Sequence, residues 1–421
     1  MSFKGVQIIK GAGGLGRKAL SADAIFGIIA TAPKPTGFEA FADVKKLIQL
    51  KDAEMLGIDA AFDANNDVLV YYHISEFFRL NPNGALYLTI LAQSETAESI
   101  TTGNVSKLEA FIKSPIAKRE IKYVGIVLNR ATGYTYAYTD GVETDVQIAV
   151  PKAQATVDKL FTENIFIDGV LFGAKIDDTA IASLLDLRAL EAQNVSITIA
   201  RDKAIADVFN GDSSAVGTAL GALSVRKVHE NLGSVDIIEK PDIYLSNPNY
   251  SLTDNARSLW FASHLTSNKD VNDLSPVEKK ALTDKGYIYA GSYEGYSGIY
   301  FNDAPTCTAI TDDYAYIESN RTFNKAARIT VKTLTPKINS TIDIDPQSGF
   351  IAFTTISSWE ETVKNAVGQM LKDGEVSSLD FFIDPKQNVL SGDPVETELA
   401  IVPKGIAREI KSTIGFKNPL I

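Results

Sequence analysis

Apolar residues in the first half of the chain fall into short runs separated by longer amphipathic segments. The apolar runs predict strands at residues 24–30, 67–72, 85–91, 123–128, 165–172 and 195–200. The segments between them predict helices at residues 38–50, 104–112, 151–161 and 180–193. Strands that alternate with helices of this length are typical of a layered α/β sheet with helices on its faces.

The same alternation resumes in the second half after a polar interruption. Residues 241–283 are rich in Asn, Ser, Asp and Pro, which predicts a long connection. Strands are then predicted at residues 286–290, 298–301, 379–383 and 396–402, and helices at residues 312–335 and 359–372. Pro336 ends the first helix, and Gly374 ends the second, whose predicted N-cap is Ser357 or Ser358.

The patterns together predict an α/β fold with a layered sheet-and-helix core, an additional outer α/β domain, and extended strand arms at both ends. A chain of 421 residues exceeds the size at which a single core keeps growing, so two or three folding units are expected. The predicted parts are an N-terminal arm (1–20), an outer or middle α/β domain (21–240), a connecting segment (241–283), a C-terminal inner core domain (284–404) and a C-terminal arm (405–421).

Composition and charge argue against several classes of function. The chain has 52 acidic and 41 basic residues, a net charge of −11, and an acidic chain repels phosphate backbones, so no nucleic-acid partner is expected. Cys307 is the only cysteine, which excludes an intramolecular disulfide. The longest apolar run, residues 24–32, is too short to cross a bilayer, and the first residues do not resemble a secretory signal. Neither membrane insertion nor Sec-dependent export is therefore expected.

A glycine-rich segment near the start spells GxGxxG, with Gly11, Gly13 and Gly16. A dinucleotide site requires a helix directly after this turn, because the N-terminus of that helix holds the pyrophosphate. Here residues 17–27 lead into an apolar run that ends in prolines, and Glu39, near the spacing of a ribose-binding acid, falls inside the next predicted helix. A flexible hinge is favoured, and a NAD-dependent oxidoreductase that uses Gly11–Gly16 is the alternative.

The remaining reactive residues do not form a recognisable catalytic or metal-binding pattern. The chain contains no GxSxG or Walker A motif, and its three histidines lack metal-ligand spacing. Cys307 has no histidine nearby to activate it. The carboxylate pairs at residues 312–313 and 360–361 lie at predicted helix starts, where the helix dipole stabilises them. We therefore predict no catalytic residue, no metal and no cofactor.

One predicted helix, at residues 312–335, carries a segregated charge pattern. Four basic residues at i, i+4, i+7 and i+11 share one face and are named here the basic stripe: Arg321, Lys325, Arg328 and Lys332. The face expected to pack, offset by two residues, consists of Phe323, Ala327, Thr330 and Leu334. The stripe is expected to be an exposed outer face that docks on an acidic protein partner, and a solvated face without a partner is the alternative.

Both chain ends read as detached segments in which apolar and polar residues alternate. The apolar positions are Phe3, Val6 and Ile8 at the start and Ile406, Ile410 and Ile414 at the end. These residues would stay exposed unless a sheet edge accepts them. Strand addition between subunits is therefore predicted, and an edge strand folded back on its own domain is the alternative.

The C-terminal third also resembles a known family. The resemblance is carried by LTDKGYIYAGSY (282–293), GYSGIYFND (295–303), DYAYI (313–317), Arg321, IDPQSGF (344–350) and VPKGIAREI (402–410), and more loosely by residues 214–221 and the opening arm. These runs look like the C-terminal part of contractile tail sheath proteins, which form the outer sleeve of phage tails and of phage-derived contractile injection systems. The runs resemble the variant found in prophage-like clusters of Bacteroidota, and the middle region departs from the better-known sheaths.

The resemblance implies a structural protein and not an enzyme. It implies α/β cores whose N- and C-terminal arms add strands to neighbouring subunits, in stacked rings of about six subunits each. The implied partners are further copies of this chain, an inner tube protein, baseplate proteins and tail terminator or cap proteins. In the family a helix of the inner core docks on the tube, and the basic stripe is our candidate for it. Assembly would take place in the bacterial cytoplasm, into a virion tail or an injection particle that contracts to drive the tube through a target envelope.

Overall fold

The secondary structure comes from a computed structural model, which describes residues 22–177, 179–237, 240, 252 and 262–416. The strands are β1 (Ile25–Thr31), β2 (Val44–Leu47), β3 (Ala85–Leu91), β4 (Tyr123–Leu128), β5 (Tyr138–Thr139), β6 (Val142–Glu143), β7 (Gly169–Gly173), β8 (Val195–Thr198), β9 (Ala200–Asp202), β10 (Ser263–Leu265), β11 (Tyr287–Ile288), β12 (Ala290–Tyr293), β13 (Tyr296–Phe301), β14 (Val376–Ile383) and β15 (Thr397–Pro403). The helices are α1 (Leu50–Met55), α2 (Ala60–Asn66), α3 (Val70–Leu80), α4 (Ala97–Thr101), α5 (Lys107–Ile112), α6 (Thr144–Thr162), α7 (Lys203–Ala206), α8 (Val216–Val225), α9 (Pro276–Asp284), α10 (Ile317–Leu334) and α11 (Phe353–Lys372).

The main sheet has, over the described residues, seven strands in the order β11–β8–β7–β4–β1–β3–β2. Neighbouring strands pair in parallel except for β2, which pairs antiparallel with β3 at the edge. All residues of β1, β3 and β4 are buried, because helices cover both faces, and such strands appear in sequence as continuous apolar runs. The predicted α/β fold class with layered sheet and helices is therefore confirmed.

Alternate residues of β1 show how the sheet separates two hydrophobic cores. Ile25 and Ile29 face a core that α4, α5 and α6 cover, whereas Phe26 and Ile28 face a core that α3 and α8 cover. A third, smaller core lies between α10, α11, β14 and β15, which together are named the C-terminal unit. The core of the C-terminal unit contains fewer buried apolar residues than either core of the main sheet.

One predicted strand, at residues 67–72, is instead the start of α3. The carboxylate of Asp63 accepts hydrogen bonds from the backbone N–H groups of Val70, Tyr71 and Tyr72 at 3.0, 3.0 and 2.9 Å. A carboxylate at this position satisfies the free donors of the first helical turn. The strand prediction was wrong because an apolar run of this length is equally compatible with a buried helix.

Two predicted helices are absent at their expected places. Residues 38–50 contain β2, which extends the main sheet because the edge of β3 is available to it. Residues 180–193 contain only short 3₁₀ helices, Ile181–Ser183 and Leu187–Leu190. The guanidinium of Arg188 is buried and donates to carbonyl oxygens in the segment that precedes α10, and these long-range contacts hold the chain in an irregular path.

The division predicted at residue 284 also differs from the structure. β11 pairs with β8, and the side chains of Ile288, Ala290 and Phe301 enter the same core as α3 and α8. Residues up to the start of α10 therefore belong with the main sheet. The predicted connecting segment contains β10 and α9, and residues 241–251 and 253–261 lie outside the described residues.

The two long helices of the C-terminal unit start at other residues than predicted. α10 begins at Ile317, after a turn in which the Asp312 carboxylate accepts a hydrogen bond from the N–H of Tyr314 at 2.7 Å. α11 begins at Phe353 with Ala352 as its N-cap, so Ser357 and Ser358 lie inside the helix. The expected C-terminal stop at residue 374 and both predicted strands of this unit are confirmed within a few residues.

Candidate functional site in the C-terminal unit

Helix α10 attaches the C-terminal unit to the amino ends of the strands of the main sheet. The side-chain amide of Asn324 donates to the carbonyl oxygen of Ile167 at 2.9 Å, just before β7 begins. The two terminal nitrogens of Arg321 donate to the carbonyl oxygens of Lys227 and Arg226 at 3.3 and 3.2 Å. The Arg321 guanidinium also lies 5.9 Å from the ring centroid of Phe26 in β1. This face of α10 is therefore directed into the protein.

Five charged residues connect α10 to the main sheet and to the β14–β15 hairpin, and are named the ion cluster: Asp23, Asp168, Lys325, Arg328 and Glu375. Arg328 contacts the carboxylates of Asp168 and Asp23 at 2.8 and 3.2 Å. Lys325 contacts Asp23 at 2.8 Å and Glu375 at 2.7 Å. The carboxylates lie just before β1, β7 and β14, so two cations of one helix hold the starts of three strands.

The pKa values of two carboxyl groups in the ion cluster are shifted in opposite directions. Burial raises the pKa of Asp168 above its ordinary value, although the guanidinium groups of Arg328 and Arg321 oppose this effect. Burial also acts to raise the pKa of Asp23, but Lys325 and Arg328 outweigh it and the pKa lies below its ordinary value. Beside the cluster, the Arg321 guanidinium is completely buried, and that burial lowers its pKa. The cluster thus keeps charges in the interior only because each faces an opposite charge.

The expectation that the basic stripe is an exposed outer face was wrong for three of its four residues. Arg321 is fully buried, and the side chains of Lys325 and Arg328 are 19% exposed and ion-paired. Lys332, near the end of α10, is exposed. The stripe is buried because carboxylates from distant parts of the chain, Asp23, Asp168 and Glu375, form ion pairs with it. The sequence reasoning missed these three acids, and their scattered positions give no local signal.

The opposite side of α10 borders an apolar groove of about 470 Å³. Phe323, predicted to be packed, is 37% exposed there. The groove lies between α10 and β15, and its apolar lining includes Phe323, Ala326, Ala327, Leu399 and Ile401. The side that amphipathicity assigned to the core therefore forms one wall of a surface groove beside a strand.

β14 and β15 form an antiparallel hairpin whose outer edges have no further strand among the described residues. The N–H groups of Phe381 and Ile383 in β14 donate to side-chain oxygens of Asp380 and Glu360, both at 2.9 Å, and therefore point away from β15. Phe381 pairs with Leu399. Because directly opposite residues of an antiparallel pair share one hydrogen-bonding state, the backbone N–H of Leu399 also points outward. On β14 two outward donors are satisfied by side chains, and the other strand of the hairpin, β15, contributes Leu399 and Ile401 to the lining of the groove.

The C-terminal arm extends beyond β15 without adding to a sheet within the described residues. Ile406 is half-buried, whereas Ile410 and Ile414 are 83% and 93% exposed and Phe416 is fully exposed. Three large apolar side chains at alternating spacing along one exposed segment are unusual for a finished surface. The N-terminal positions Phe3, Val6 and Ile8 lie outside the described residues, as does the glycine-rich segment Gly11–Gly16.

The crevice where α/β sheets commonly bind nucleotides is filled by the protein itself. The strand order reverses at β1, and the crevice lies beyond the carboxyl ends of β1 and β4. Asn129 occupies it: its side chain accepts hydrogen bonds from the N–H groups of Leu69 and Asp212 at 2.9 Å each and donates to the carbonyl oxygen of Thr31 at 2.9 Å. β1 is followed by Pro33 and Pro35 instead of a helix. This crevice therefore holds no open nucleotide-sized space among the described residues, while the oxidoreductase alternative concerns Gly11–Gly16, which lies outside them.

Comparison with known proteins agrees with this arrangement of a main sheet followed by a C-terminal unit. Two family sequence models match the chain: DUF2586, N-terminal domain, over residues 3–305, and DUF2586, C-terminal domain, over residues 313–421. The chain belongs to the DUF2586 family. The boundary between the two matches falls just before α10, where the main sheet ends. No curated protein matches this DUF2586 chain.

Solved structures similar to this DUF2586 protein come from contractile injection systems. A chain in the cryo-EM structure of the anti-feeding prophage baseplate matches with a TM-score of 0.61 and 12% identity, covering 99% of this chain and 100% of that one. The anti-feeding prophage helical sheath in the contracted state matches at 0.57 and 15%, covering 99% and 100%. The contracted sheath of the PVC extracellular contractile injection system matches at 0.56 and 12%, covering 100% and 99%. The fold is thus that of contractile sheath proteins, and the resemblance stated from the sequence is confirmed.

No helix in the described part of this DUF2586 chain is both long and apolar enough to span a bilayer. Among the same described residues, no group of three or more His, Cys, Asp and Glu side chains is arranged to hold a metal ion.

Proposed function

We propose that this DUF2586 protein is the structural protomer of a contractile sheath, which polymerises as stacked rings around an inner tube. The observation that carries the proposal is the coexistence, in one chain, of a strand edge beside an apolar groove and an extended arm with exposed isoleucines. The edge lacks a strand within the described residues, and the arm lacks a sheet. The arm of one copy can therefore pair as an added strand with the open strand edge of another copy.

Contraction would use interface free energy and not a nucleotide. In an extended lattice the arms link subunits while the larger surfaces remain incompletely packed. A transition in which each subunit gains a few kcal/mol of interface free energy becomes irreversible when many subunits change together. The ion cluster supports this role, because its four ion pairs join the C-terminal unit to the main sheet.

The first prediction is that purified full-length protein, concentrated without any partner, assembles into hollow striated tubes visible by negative-stain electron microscopy. The physical reason is that strand addition through the arms satisfies backbone hydrogen bonds and buries the exposed isoleucines. Protein with both arms intact that stays monomeric at high concentration would contradict the proposal. Analytical ultracentrifugation of the same sample distinguishes that outcome from amorphous aggregation.

The inner tube protein is the proposed partner of the exposed end of α10. Of the basic stripe, Lys332 is the residue placed to reach a partner, since Arg321, Lys325 and Arg328 make internal contacts. A single rim charge affects association rate and salt dependence more than it affects packing. In this proposal Arg321, Lys325 and Arg328 attach α10 to its own protomer, and Lys332 contacts the tube protein.

We expect Lys332→Glu to weaken binding to the inner tube protein by roughly threefold to tenfold at low salt, with the difference shrinking at high salt. Pull-down or interferometry against the tube protein encoded with this chain measures the change. Lys372→Glu, at the exposed end of α11, is the matched control for net charge. Equal binding by Lys332→Glu and the unmodified protein at low salt would remove Lys332 from the tube interface.

The remaining proposed partners follow from the same role. A sheath begins on a baseplate and ends at a terminator or cap protein, so we propose contacts with both at the two ends of the assembly. We also propose that the protein assembles in the bacterial cytoplasm, as part of a virion tail or of an injection particle. Neither nucleic acid nor membrane insertion has a place in this proposal.

A further inference from the structure

The root of the C-terminal arm is held by a single arginine. Nε of Arg408 lies 3.1 Å from Oδ2 of Asp303, and a terminal nitrogen of its guanidinium contacts Glu318 at the start of α10. The guanidinium also lies 3.4 Å from the ring centroid of Tyr316. The Arg408 side chain is about one-third exposed, whereas both carboxylates are buried. One residue of an otherwise extended segment thus makes an ion-paired and aromatic contact with its own protomer.

The receiving groups form a built site that exists independently of the arm. The side-chain amide of Asn231 donates to Oδ1 of Asp303 at 2.6 Å and to Oε1 of Glu318 at 3.1 Å, which holds the two carboxylates side by side. The backbone N–H of Ala304 donates to the same Asp303 oxygen at 2.8 Å. The second oxygen of Glu318 is buried and has no partner within the described residues. The site opens into a cavity of about 590 Å³.

A guanidinium suits this site better than an ammonium group. Its planar fork can donate to both carboxylates at once, and its flat face can lie on the Tyr316 ring. A lysine at residue 408 would present a point charge that cannot make both kinds of contact together. The sequence VPKGIAREI around this arginine was singled out for its resemblance, but the role of Arg408 was not predicted.

We propose that Asp303, Glu318 and Tyr316 form a guanidinium-binding site that anchors the C-terminal arm at Arg408, so that only the residues beyond it are exchanged with a second copy. The inference rests on the proposed sheath function only for the exchange; the anchor itself is a property of one protomer. The exposed Ile410 and Ile414 lie beyond the anchor, whereas the half-buried Ile406 lies before it. The anchor therefore defines where the exchanged part of the arm begins.

The strength with which the site binds Arg408 should also depend on pH. Burial raises the pKa of Glu318 to about 7, while the Arg408 guanidinium lowers it and the neighbouring Asp303 raises it. The charged groups that face Glu318 are Arg408 from the arm and Asp303 from the segment after β13, with Asn231 as the neutral donor. When the arm leaves, the opposing effect of Arg408 is lost and Glu318 binds a proton more tightly. Docking of the arm therefore releases a proton at pH values above about 7, and the arm is held more weakly as the pH falls toward about 7, where the docked Glu318 itself becomes protonated.

Limited digestion with trypsin tests the anchor directly, because this protease must accept the free side chain of the residue at which it cleaves. The arm carries three trypsin sites, Arg408, Lys411 and Lys417, and the Lys411 side chain is 85% exposed. In dilute full-length protein cleared of assembled material, we expect cleavage after Lys411 and little after Arg408. In Asp303→Asn/Glu318→Gln, the ratio of cleavage at 408 to cleavage at 411 should rise at least about tenfold, as read by intact-mass spectrometry.

Because Asp303→Asn/Glu318→Gln changes buried residues and could misfold, a second variant outside the core tests the same contact. Arg408→Lys keeps a trypsin site but loses the fork, and the change lies on an extended segment, so the 408 to 411 ratio should again rise. Lys411→Arg is the matched control for the preference of the protease. Lowering the pH from 8 to 6 should raise the ratio in the unmodified protein by at most about tenfold per unit, and should leave it unchanged in Glu318→Gln. Equal ratios in the unmodified protein and Arg408→Lys would overturn the anchor, even if the protein forms tubes.

Discussion

Replacing Arg328 by methionine is expected to lower the free energy of unfolding by about 3–5 kcal/mol. The change removes the cation that contacts Asp168 at 2.8 Å and leaves that fully buried carboxylate without its main partner. Asp23 retains Lys325, so the loss falls mainly on Asp168. Urea unfolding followed by tryptophan fluorescence, to which Trp359 beside the core of the C-terminal unit contributes, measures the effect without screening the ion pairs.

The matched control is Lys332→Met, one turn further along the same helix, where the side chain is exposed. An exposed substitution of this kind should change the free energy of unfolding by less than about 0.5 kcal/mol. Combining Arg328→Met with Asp168→Leu should recover most of the loss, because no unpaired charge then remains buried. If Arg328→Met and Lys332→Met have the same small effect, the ion cluster does not hold the C-terminal unit in place.

The double variant Ile410→Asp/Ile414→Asp is expected to prevent tube formation under conditions where the unmodified protein assembles. Both side chains are exposed on the protomer, so the fold should not change. Burial of an isoleucine contributes about 1.5–3 kcal/mol. Losing two such contacts at each interface between copies should raise the concentration needed for assembly at least about 100-fold. Light scattering against protein concentration, with negative-stain microscopy of the end points, measures the shift.

The control for this variant changes the polar neighbours instead of the isoleucines. Glu409→Gln/Lys411→Gln removes the exposed ion pair between these residues, whose side chains are 72% and 85% exposed. Such a surface pair contributes little, so assembly should proceed at nearly the normal concentration. Normal assembly of Ile410→Asp/Ile414→Asp would show that the arm is not the joint between copies, and would remove the observation on which the proposed function depends.

The difference between the predicted and observed role of the basic stripe follows from what a single helix reveals. Residues Arg321, Lys325, Arg328 and Lys332 have the spacing of one face, and the structure gives them one face. Amphipathicity then assigns a charged face to solvent, because unpaired charges are rarely buried. Asp23, Asp168 and Glu375 reverse that assignment, and no pattern local to α10 indicates that they meet there.

For the C-terminal arm, in contrast to the basic stripe, the expected exposure agrees with the structure. Alternating isoleucines after residue 405 predict a strand that its own domain cannot bury, and the structure leaves Ile410 and Ile414 exposed. What sequence reasoning missed is Arg408, which reads as one polar residue in an alternating segment. Its significance depends on two carboxylates and a tyrosine that come together only when the segment after β13 meets the start of α10.

By itself the sequence determined the α/β class, the central strands of the sheet and the detached character of the C-terminal arm, since these depend on the order of apolar and polar residues within short windows. Only the tertiary structure decided which face of α10 is buried, where the main sheet ends, and where the arm is fastened. Each of these depends on charges or strand edges that lie far apart along the chain. Their free energy appears only when distant segments meet, so no local pattern records it.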